Sequence, residues 1–200
     1  MIKVILFDVD GVIVHTERFS IHFSREYNIP LDIVLQFFTG ELKDCVAGKA
    51  DLKVELKKYL GKWNWNGTVE DFLHYWFTTE HKIDQTLVTY VQKLRESGIR
   101  CYVATNQEKH RTQYMLKEMG FEKSFDGVFS SSTIGFRKPH KSFFNHILVK
   151  LEGVKPSEIL FWDNSPEHVQ VANNLGIRGE VYTNFPMFVK TMEKYKKVSR

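Results

Sequence analysis

The residues best suited to chemistry are two aspartates separated by a single residue. Asp8 and Asp10 follow the apolar run of residues 2–7 and precede Gly11. A carboxylate can attack the phosphorus of a phosphate ester, which divides one difficult displacement into two easier ones. A second carboxylate two residues further on can protonate the leaving oxygen and then activate water. The pair therefore indicates phosphoryl transfer, with Asp8 as nucleophile and Asp10 as general acid and base.

Polar residues follow three further apolar runs in the same way. They are Thr105 and Asn106 after residues 99–104, Lys138 after residues 127–130, and Asp163 and Asn164 after residues 159–162. Ligands of open α/β folds bind where the strands end, so these side chains are expected to meet. A phosphate dianion repels an attacking carboxylate, and we predict that Mg²⁺ and Lys138 supply the opposing positive charge. Hydroxyl and N–H donors, Thr105 among them, are expected to hold the phosphoryl oxygens.

The elements that position these residues are predicted to form an α/β fold with a parallel sheet. The apolar runs, together with residues 180–182, are typical of buried strands, and helical patterns alternate with them. Residues 16–84 read as helical throughout, near 17–27, 31–38, 51–60 and 68–80. This is far more chain than one crossover needs, so we predict an inserted all-helical subdomain. A small apolar core is predicted for its aromatic residues, with a ligand-binding lining as the alternative: Trp63, Trp65, Phe72, Tyr75, Trp76 and Phe77.

Over essentially its whole length the chain resembles the haloacid dehalogenase superfamily. Residues 7–12, 103–106, 137–139 and 161–166 are similar to the four motifs of that family. The resemblance implies a Rossmann-like core, residues 1–15 and 85–200, with helices on both faces of the sheet and residues 16–84 as a helical cap. It implies the following roles: Asp8, Asp10 and Lys138 as catalytic residues, Thr105, Asn106 and Lys138 as phosphate-binding residues, and Asp8, Asp10, Asp163 and Asn164 as magnesium ligands. Lys49, in a turn where such caps place a specificity loop, is expected to contact the substrate.

The predicted activity is magnesium-dependent hydrolysis of a small phosphorylated metabolite, by a phosphoric monoester hydrolase, through an aspartyl-phosphate on Asp8. A sugar phosphomutase of the same family is one alternative. Such a mutase carries a cap-hinge histidine where this chain has Ser20, with His22 nearby, and we interpret His15 and His22 as hinge or surface residues. A second alternative follows from Asn164, because family members usually have an acid at this metal-binding position. A neutral ligand there also fits low activity or a non-catalytic phosphate-binding protein.

Composition and charge favour a cytoplasmic protein without a nucleic-acid or membrane partner. The formal net charge is only +4, and the basic residues near the end are interpreted as a solvated helix face: Lys190, Lys194, Lys196, Lys197 and Arg200. The two cysteines have no metal-ligand spacing and fit a reducing compartment. No apolar run approaches the length needed to span a membrane. The sequence leaves the substrate and the oligomeric state open.

Overall fold

Five parallel strands form the centre of the fold. The structure, a computed structural model, describes residues 1–197, with side chains through residue 195. The strands are β1 (Val4–Phe7), β2 (Arg100–Thr105), β3 (Val128–Ser130), β4 (Ile159–Asp163) and β5 (Arg178–Val181). Their order across the sheet is β3-β2-β1-β4-β5. The predicted parallel α/β fold is confirmed, and the strand predicted at residues 180–182 begins two residues earlier.

The central strand β1 is buried on both faces of the sheet. Val4 and Leu6 pack in one apolar cluster, and Ile5 and Phe7 pack in another on the opposite face. This is why its apolar residues are consecutive rather than alternating. Phe7 is in register with Val103 of β2 and with Trp162 of β4, so all three strands end at one edge of the sheet.

Among residues 1–197, seven helices cover the two faces of the sheet. They are α6 (Gln85–Glu96), α7 (Lys109–Lys117), α8 (Phe121–Ser124), α9 (Ser131–Ile134), α10 (Lys141–Lys150), α11 (Pro166–Asn174) and α12 (Phe185–Lys197). Residues of α6, α7 and α12 pack on the face that carries Phe7, and residues of α10 and α11 pack on the face that carries Leu6. Lys190 and Lys194 lie on α12. The side chains of Lys196 and Lys197, and residue Arg200, fall outside the described part of the chain.

The chain between β1 and β2 forms five further helices, which we call the helical insert. They are α1 (Phe19–Glu26), α2 (Leu31–Thr39), α3 (Leu42–Val46), α4 (Leu52–Leu60) and α5 (Val69–Thr79). Polar caps define the starts of the last two helices. The Asp51 side chain accepts from the N–H groups of Lys53 and Val54, and Thr68 forms a capping box with Asp71. Sequence reasoning missed α3, because five residues are too few to display helical periodicity.

The helical insert has an apolar core of its own. Trp63 and Phe72 are 1% and 0% exposed, and they stack with ring centroids 5.4 Å apart. The predicted core role of the aromatic residues is therefore confirmed. Polar contacts that join the insert to the rest of the fold include those of Lys109 and His110 with Asp51, Ser131 with Val46, Arg111 with Glu80, and Tyr114 with His81. The division of the chain into a catalytic core and a cap stays a prediction.

Among residues 1–197, no helix combines the length and the apolarity needed to cross a membrane. Cys45 and Cys101 are both buried free thiols, and burial raises the pKa of each to about 12. Both thiols therefore remain protonated and unreactive at neutral pH.

Candidate active site

A buried lysine connects three strands at the carboxyl edge of the sheet. The Lys138 ammonium lies 2.8 Å from Asp8 Oδ1 and 2.6 Å from Asp163 Oδ2, and it donates to the Ala104 carbonyl oxygen at 2.8 Å. The Lys138 side chain is 0% exposed, so its charge interacts with these partners with little screening by water. The structure thus brings together Asp8, Lys138 and Asp163, which are separated by more than one hundred and fifty residues of sequence.

The cluster contains more negative than positive charge. Burial raises the pKa of Asp8 to about 6; the ammonium of Lys138 opposes this rise, whereas the carboxylates of Asp163 and Asp10 add to it. Burial would also raise the pKa of Asp163, but a hydrogen bond from His168 and the charge of Lys138 hold it below its usual range. Three carboxyl groups therefore face one ammonium. This surplus of negative charge suits a site for a divalent cation.

Asp10 lies beside Asp8 and is held by a residue that sequence reasoning missed. Gln107 Nε2 donates to Asp10 Oδ2 at 2.6 Å, and Asp10 is otherwise exposed. Gln107 comes from the loop after β2, directly behind Asn106. Its place after a strand-end motif was the only signal available in the sequence. The loop that carries Asp10 closes through Gly11, whose N–H donates to the Val14 carbonyl oxygen at 2.7 Å.

The two polar residues at the end of β2 have different environments. Thr105 is 1% exposed, and its buried hydroxyl has no hydrogen-bond partner in the structure. The Asn106 side chain donates to the Lys138 carbonyl oxygen at 2.9 Å and accepts from the Lys138 N–H at 2.8 Å. Asn106 therefore holds the backbone of Lys138. Its predicted direct contact with phosphate stays a prediction.

Asp163 is completely buried, and both of its oxygens are occupied. Oδ1 accepts from the Ser165 N–H at 2.8 Å, Oδ2 accepts from Lys138, and His168 Nδ1 is 3.0–3.1 Å from both oxygens. Pro166 at the first position of α11 begins the helix directly after this turn. The observed contacts of Asp163 are with Lys138 and the turn. Its role as a magnesium ligand stays a prediction.

Asn164 is exposed and lies against the loop that follows Asp8. A Cβ at Gly11 would overlap the Asn164 side-chain amide, and Gly11 has a φ of +85°, so glycine is required there on two grounds. Within the described residues, no group of three His, Cys, Asp or Glu side chains has metal-binding geometry. The predicted magnesium ligands therefore depend on other oxygens as well, the amide of Asn164 and the backbone carbonyl of Asp10. These hard oxygen donors fit magnesium chemically.

The remaining predicted residues lie away from this cluster or beside it. Lys49 is exposed and borders a groove that Arg137, Lys138 and His140 also line. His15 is exposed, 3.9 Å from Asp84, and His22 pairs with Glu26 at 2.7 Å. The interpretation of both histidines as surface residues agrees with these contacts.

A cavity of about 390 Å³ lies between the helical insert and the strand ends. Asp10, Gly11, Asn106 and Gln107 border one end, and side chains of α1, α2, α3 and α5 form most of the remaining wall. Trp76 and Phe77 line the cavity as well as packing in the core of the insert, and a ligand-binding role for this pair stays a prediction. The volume is within the usual range for small-molecule sites, about 300–1,000 Å³.

A Rossmann-like sheet whose strand ends bring aspartates and a buried lysine together defines the class of this protein. A family model described as haloacid dehalogenase-like hydrolase matches residues 2–176, and the chain belongs to that family.

Two relatives are similar to parts of the chain. The sesquiterpene phosphatase astK of Aspergillus oryzae is 31% identical over 97 residues, which are 48% of this chain and 48% of astK. The drimenol cyclase drtB of Aspergillus calidoustus is 26% identical over 104 residues, which are 50% of this chain and 20% of drtB. The chain thus matches about half of the length of the first relative and a fifth of the second.

Solved structures resemble the whole chain. A predicted haloacid dehalogenase-like hydrolase from Porphyromonas gingivalis has a TM-score of 0.80 at 21% identity, covering 96% of this chain and 98% of its own. The wild-type family enzyme bt-2542 from Bacteroides thetaiotaomicron, in complex with magnesium and inorganic phosphate, has a TM-score of 0.71 at 21% identity and covers 92% and 95%. At this identity these structures show the shared fold.

Proposed function

We propose that this chain is a magnesium-dependent phosphatase that hydrolyses a small phosphorylated metabolite through an aspartyl-phosphate on Asp8. The observation that carries the proposal is the 2.8 Å ion pair between Asp8 and the buried ammonium of Lys138. Burial raises the pKa of Asp8 to about 6, and Lys138 opposes this rise, so the nucleophile remains mostly ionised at neutral pH. The similarity to astK, which is named as a phosphatase, supports the same reaction class.

The proposed reaction has two displacements at phosphorus. In the first, an Asp8 oxygen attacks phosphorus, the bond from phosphorus to the leaving oxygen breaks, and Asp10 donates its proton to that oxygen. In the second, Asp10 takes a proton from water, and the water oxygen attacks phosphorus. The bond to Asp8 then breaks, which releases inorganic phosphate and restores the carboxylate. Gln107 holds Asp10 in position through its 2.6 Å hydrogen bond.

The phosphoryl oxygens need donors that the protein does not use itself. The Thr105 hydroxyl is buried without a partner, which costs a protein about 1–3 kcal/mol when nothing binds there. A phosphoryl oxygen would accept its hydrogen bond. Asn106 contributes by holding the backbone of Lys138.

The proposed magnesium ligands are the Asp8 carboxylate, the Asp10 backbone carbonyl and the Asn164 amide oxygen. Bound magnesium would supply positive charge that offsets repulsion between Asp8 and the phosphate dianion. Asp163 already accepts hydrogen bonds at both oxygens, so we assign it chiefly to holding Lys138. The surplus of carboxylate charge around Asp8 supports a divalent cation there.

The test is phosphate release from a panel of phosphorylated metabolites, with and without magnesium, by wild type and Asp8→Asn. We expect release only with magnesium and only in the wild type. Asp32→Asn, an exposed aspartate in the first turn of α2, is the matched control and is expected to behave as wild type. Turnover that persists in Asp8→Asn would exclude the covalent mechanism.

Two alternatives have different signatures. A phosphomutase would convert one sugar phosphate into its isomer without releasing phosphate. On α1 the buried Ser20, rather than a histidine, lines the cavity, and this favours hydrolysis. A non-catalytic binding protein, the alternative suggested by Asn164, would bind phosphate esters and release phosphate from none of them.

A further inference from the structure

The cavity beside Asp10 has a mainly apolar wall on the side of the helical insert. Eight apolar side chains line it: Val14, Phe19, Leu35, Phe38, Leu42, Val46, Trp76 and Phe77. Asp10 lies at the opposite end, where the leaving oxygen of a bound phosphate ester would be protonated. The group attached to that oxygen would therefore occupy the cavity.

Two of the lining residues have no other apolar role in the described part of the chain. Leu35 and Val46 are partly buried, yet neither belongs to any of the three apolar clusters of the fold. Leu35 lies on α2, whereas its neighbours Val34 and Phe37 on the same helix are buried in the core of the insert. Apolar surface that faces a cavity instead of a core is stabilised when an apolar ligand covers it.

Three polar side chains of this wall, those of Glu80, Glu108 and Thr39, have partners within the protein. Glu80 accepts from Trp76 Nε1 at 3.0 Å and pairs with Arg111 at 3.0 Å. Glu108 caps α7, and Thr39 donates to the Leu35 carbonyl oxygen at 2.7 Å.

The Arg111 guanidinium borders the cavity and lies over the Phe77 ring at 5.3 Å. Its three nitrogens are buried and, apart from the ion pair with Glu80, have no hydrogen-bond partner. Hydroxyl groups of a sugar would lose their hydrogen bonds to water in this wall and find few replacements, which is unfavourable.

We propose that the phosphate esters accepted by this site carry an apolar hydrocarbon group, which fills the cavity while the phosphate lies at Asp8. The inference rests on the proposed function and narrows its substrate class. Leu35 and Val46 are the residues that select the hydrocarbon, because they contact the ligand and contribute to no cluster of the fold.

The test is a homologous series of linear alkylphosphonates from methyl to octyl, measured by isothermal titration calorimetry with magnesium present. Phosphonates keep the charge of the phosphate and resist hydrolysis, so binding is read without turnover. Each methylene that enters the cavity should increase affinity about fourfold until the cavity is full, the equivalent of about 0.8 kcal/mol per methylene. Glucose 6-phosphate should bind no more tightly than methylphosphonate. A flat series, or tighter binding of the sugar phosphate than of octylphosphonate, would overturn the proposal.

Two variants locate the effect. Leu35→Asn should weaken octylphosphonate binding about tenfold and leave methylphosphonate binding unchanged, because only the longer chain reaches α2. Leu31→Asn is the matched control, since Leu31 is an exposed leucine on the same helix and lies outside the cavity. It should change neither affinity. Equal losses for both phosphonates in Leu35→Asn would contradict the assignment.

Phosphate release separates this inference from the proposed function. Affinity that rises with chain length, without hydrolysis of octyl phosphate or of any other ester, would overturn the phosphatase and leave the apolar site standing. Hydrolysis of hexose phosphates together with a flat alkyl series would overturn the apolar site and leave the phosphatase standing.

Discussion

Lys138 and Asp163 form a 2.6 Å ion pair in which neither side chain has any exposed surface. Two charges removed from water are tolerated only when each remains paired and hydrogen-bonded. Lys138 also contacts Asp8, whereas Asp163 accepts from Ser165 and lies against His168. The pair therefore connects Asp8, the proposed nucleophile, to the fourth strand, and stability and activity are both expected to depend on it.

The first prediction is that Asp163→Ala lowers the free energy of unfolding by about 3–5 kcal/mol, because it leaves the Lys138 charge buried with only Asp8 beside it. Urea denaturation checks this value. The control is Glu17→Ala, which removes the exposed ion pair with Arg25 and is expected to cost at most about 1 kcal/mol. Equal effects of the two variants would contradict a structural role for the buried pair.

The second prediction concerns the hydrogen bond that holds Asp10. Gln107→Leu removes the donor while keeping a similar side-chain volume, and a hydrogen bond to a charged group contributes about 1.5–3 kcal/mol. We expect kcat to fall between about tenfold and a hundredfold, with KM nearly unchanged, because in the proposed reaction Asp10 acts on the leaving oxygen rather than in binding. Steady-state kinetics measure both constants. Gln113→Leu on the exposed side of α7 is the control, and a rise in KM alone would show that Gln107 serves binding instead.

The third prediction concerns Glu108, the buried cap of α7. Burial raises the pKa of Glu108 from 4.5 to about 7, although its hydrogen bonds from the His110 and Arg111 N–H groups oppose the rise. Between these pH values the folded state binds more protons than the unfolded state, so this residue lowers stability as pH rises. Glu108→Gln cannot titrate and keeps an acceptor for the cap.

The free energy of unfolding of Glu108→Gln, minus that of wild type, should therefore increase from pH 4.5 to pH 7 by up to about 3 kcal/mol. Above that range the difference should be constant. Denaturant titrations at a series of pH values measure it. Subtracting wild type cancels the titration of Asp8 and Glu80, whose pKa values burial also raises. A difference that does not vary with pH would show that Glu108 titrates at its ordinary value.

The fourth prediction is that Asn164→Asp binds magnesium more tightly. The new carboxylate would add an anionic oxygen beside the loop that Gly11 closes, where the amide now lies. We expect affinity for magnesium to increase about tenfold, a gain of about 1.4 kcal/mol. Calorimetric titration with magnesium measures it. The exposed Asn145→Asp on α10 tests whether net charge alone is responsible, and an equal gain there would remove Asn164 from the metal site.

The parallel sheet and the four polar strand ends were predictable because both depend on local patterns. Consecutive apolar residues in β1 indicate a strand covered on both faces, and Asp8 directly after it lies at the carboxyl edge. Contacts between distant segments leave no such pattern. Gln107 and Asp10 are 97 residues apart, and the side chain of Asn106 is hydrogen-bonded to the backbone of Lys138, 32 residues further along the chain.

The helical insert shows the same division. Its helices follow from periodicity and caps, except α3, which is too short to be periodic. Helical spacing alone does not tell which apolar side chains face the core of the insert and which face the cavity. Val34 and Leu35 are adjacent aliphatic residues on α2, yet Val34 is buried in the core of the insert and Leu35 lines the cavity.

The sequence by itself determined the succession of strands and helices along the chain, the family resemblance and the candidate residues for phosphoryl transfer. Each of these is encoded over a few consecutive residues. Only the tertiary structure decided which of those residues form ion pairs and hydrogen bonds with one another. The surplus of carboxylates, the buried pair of Lys138 with Asp163 and the free hydroxyl of Thr105 arise from side chains that meet at one sheet edge. The cavity beside them also results from packing, because its volume and lining depend on how α1, α2, α3, α5 and α7 pack over the strand ends.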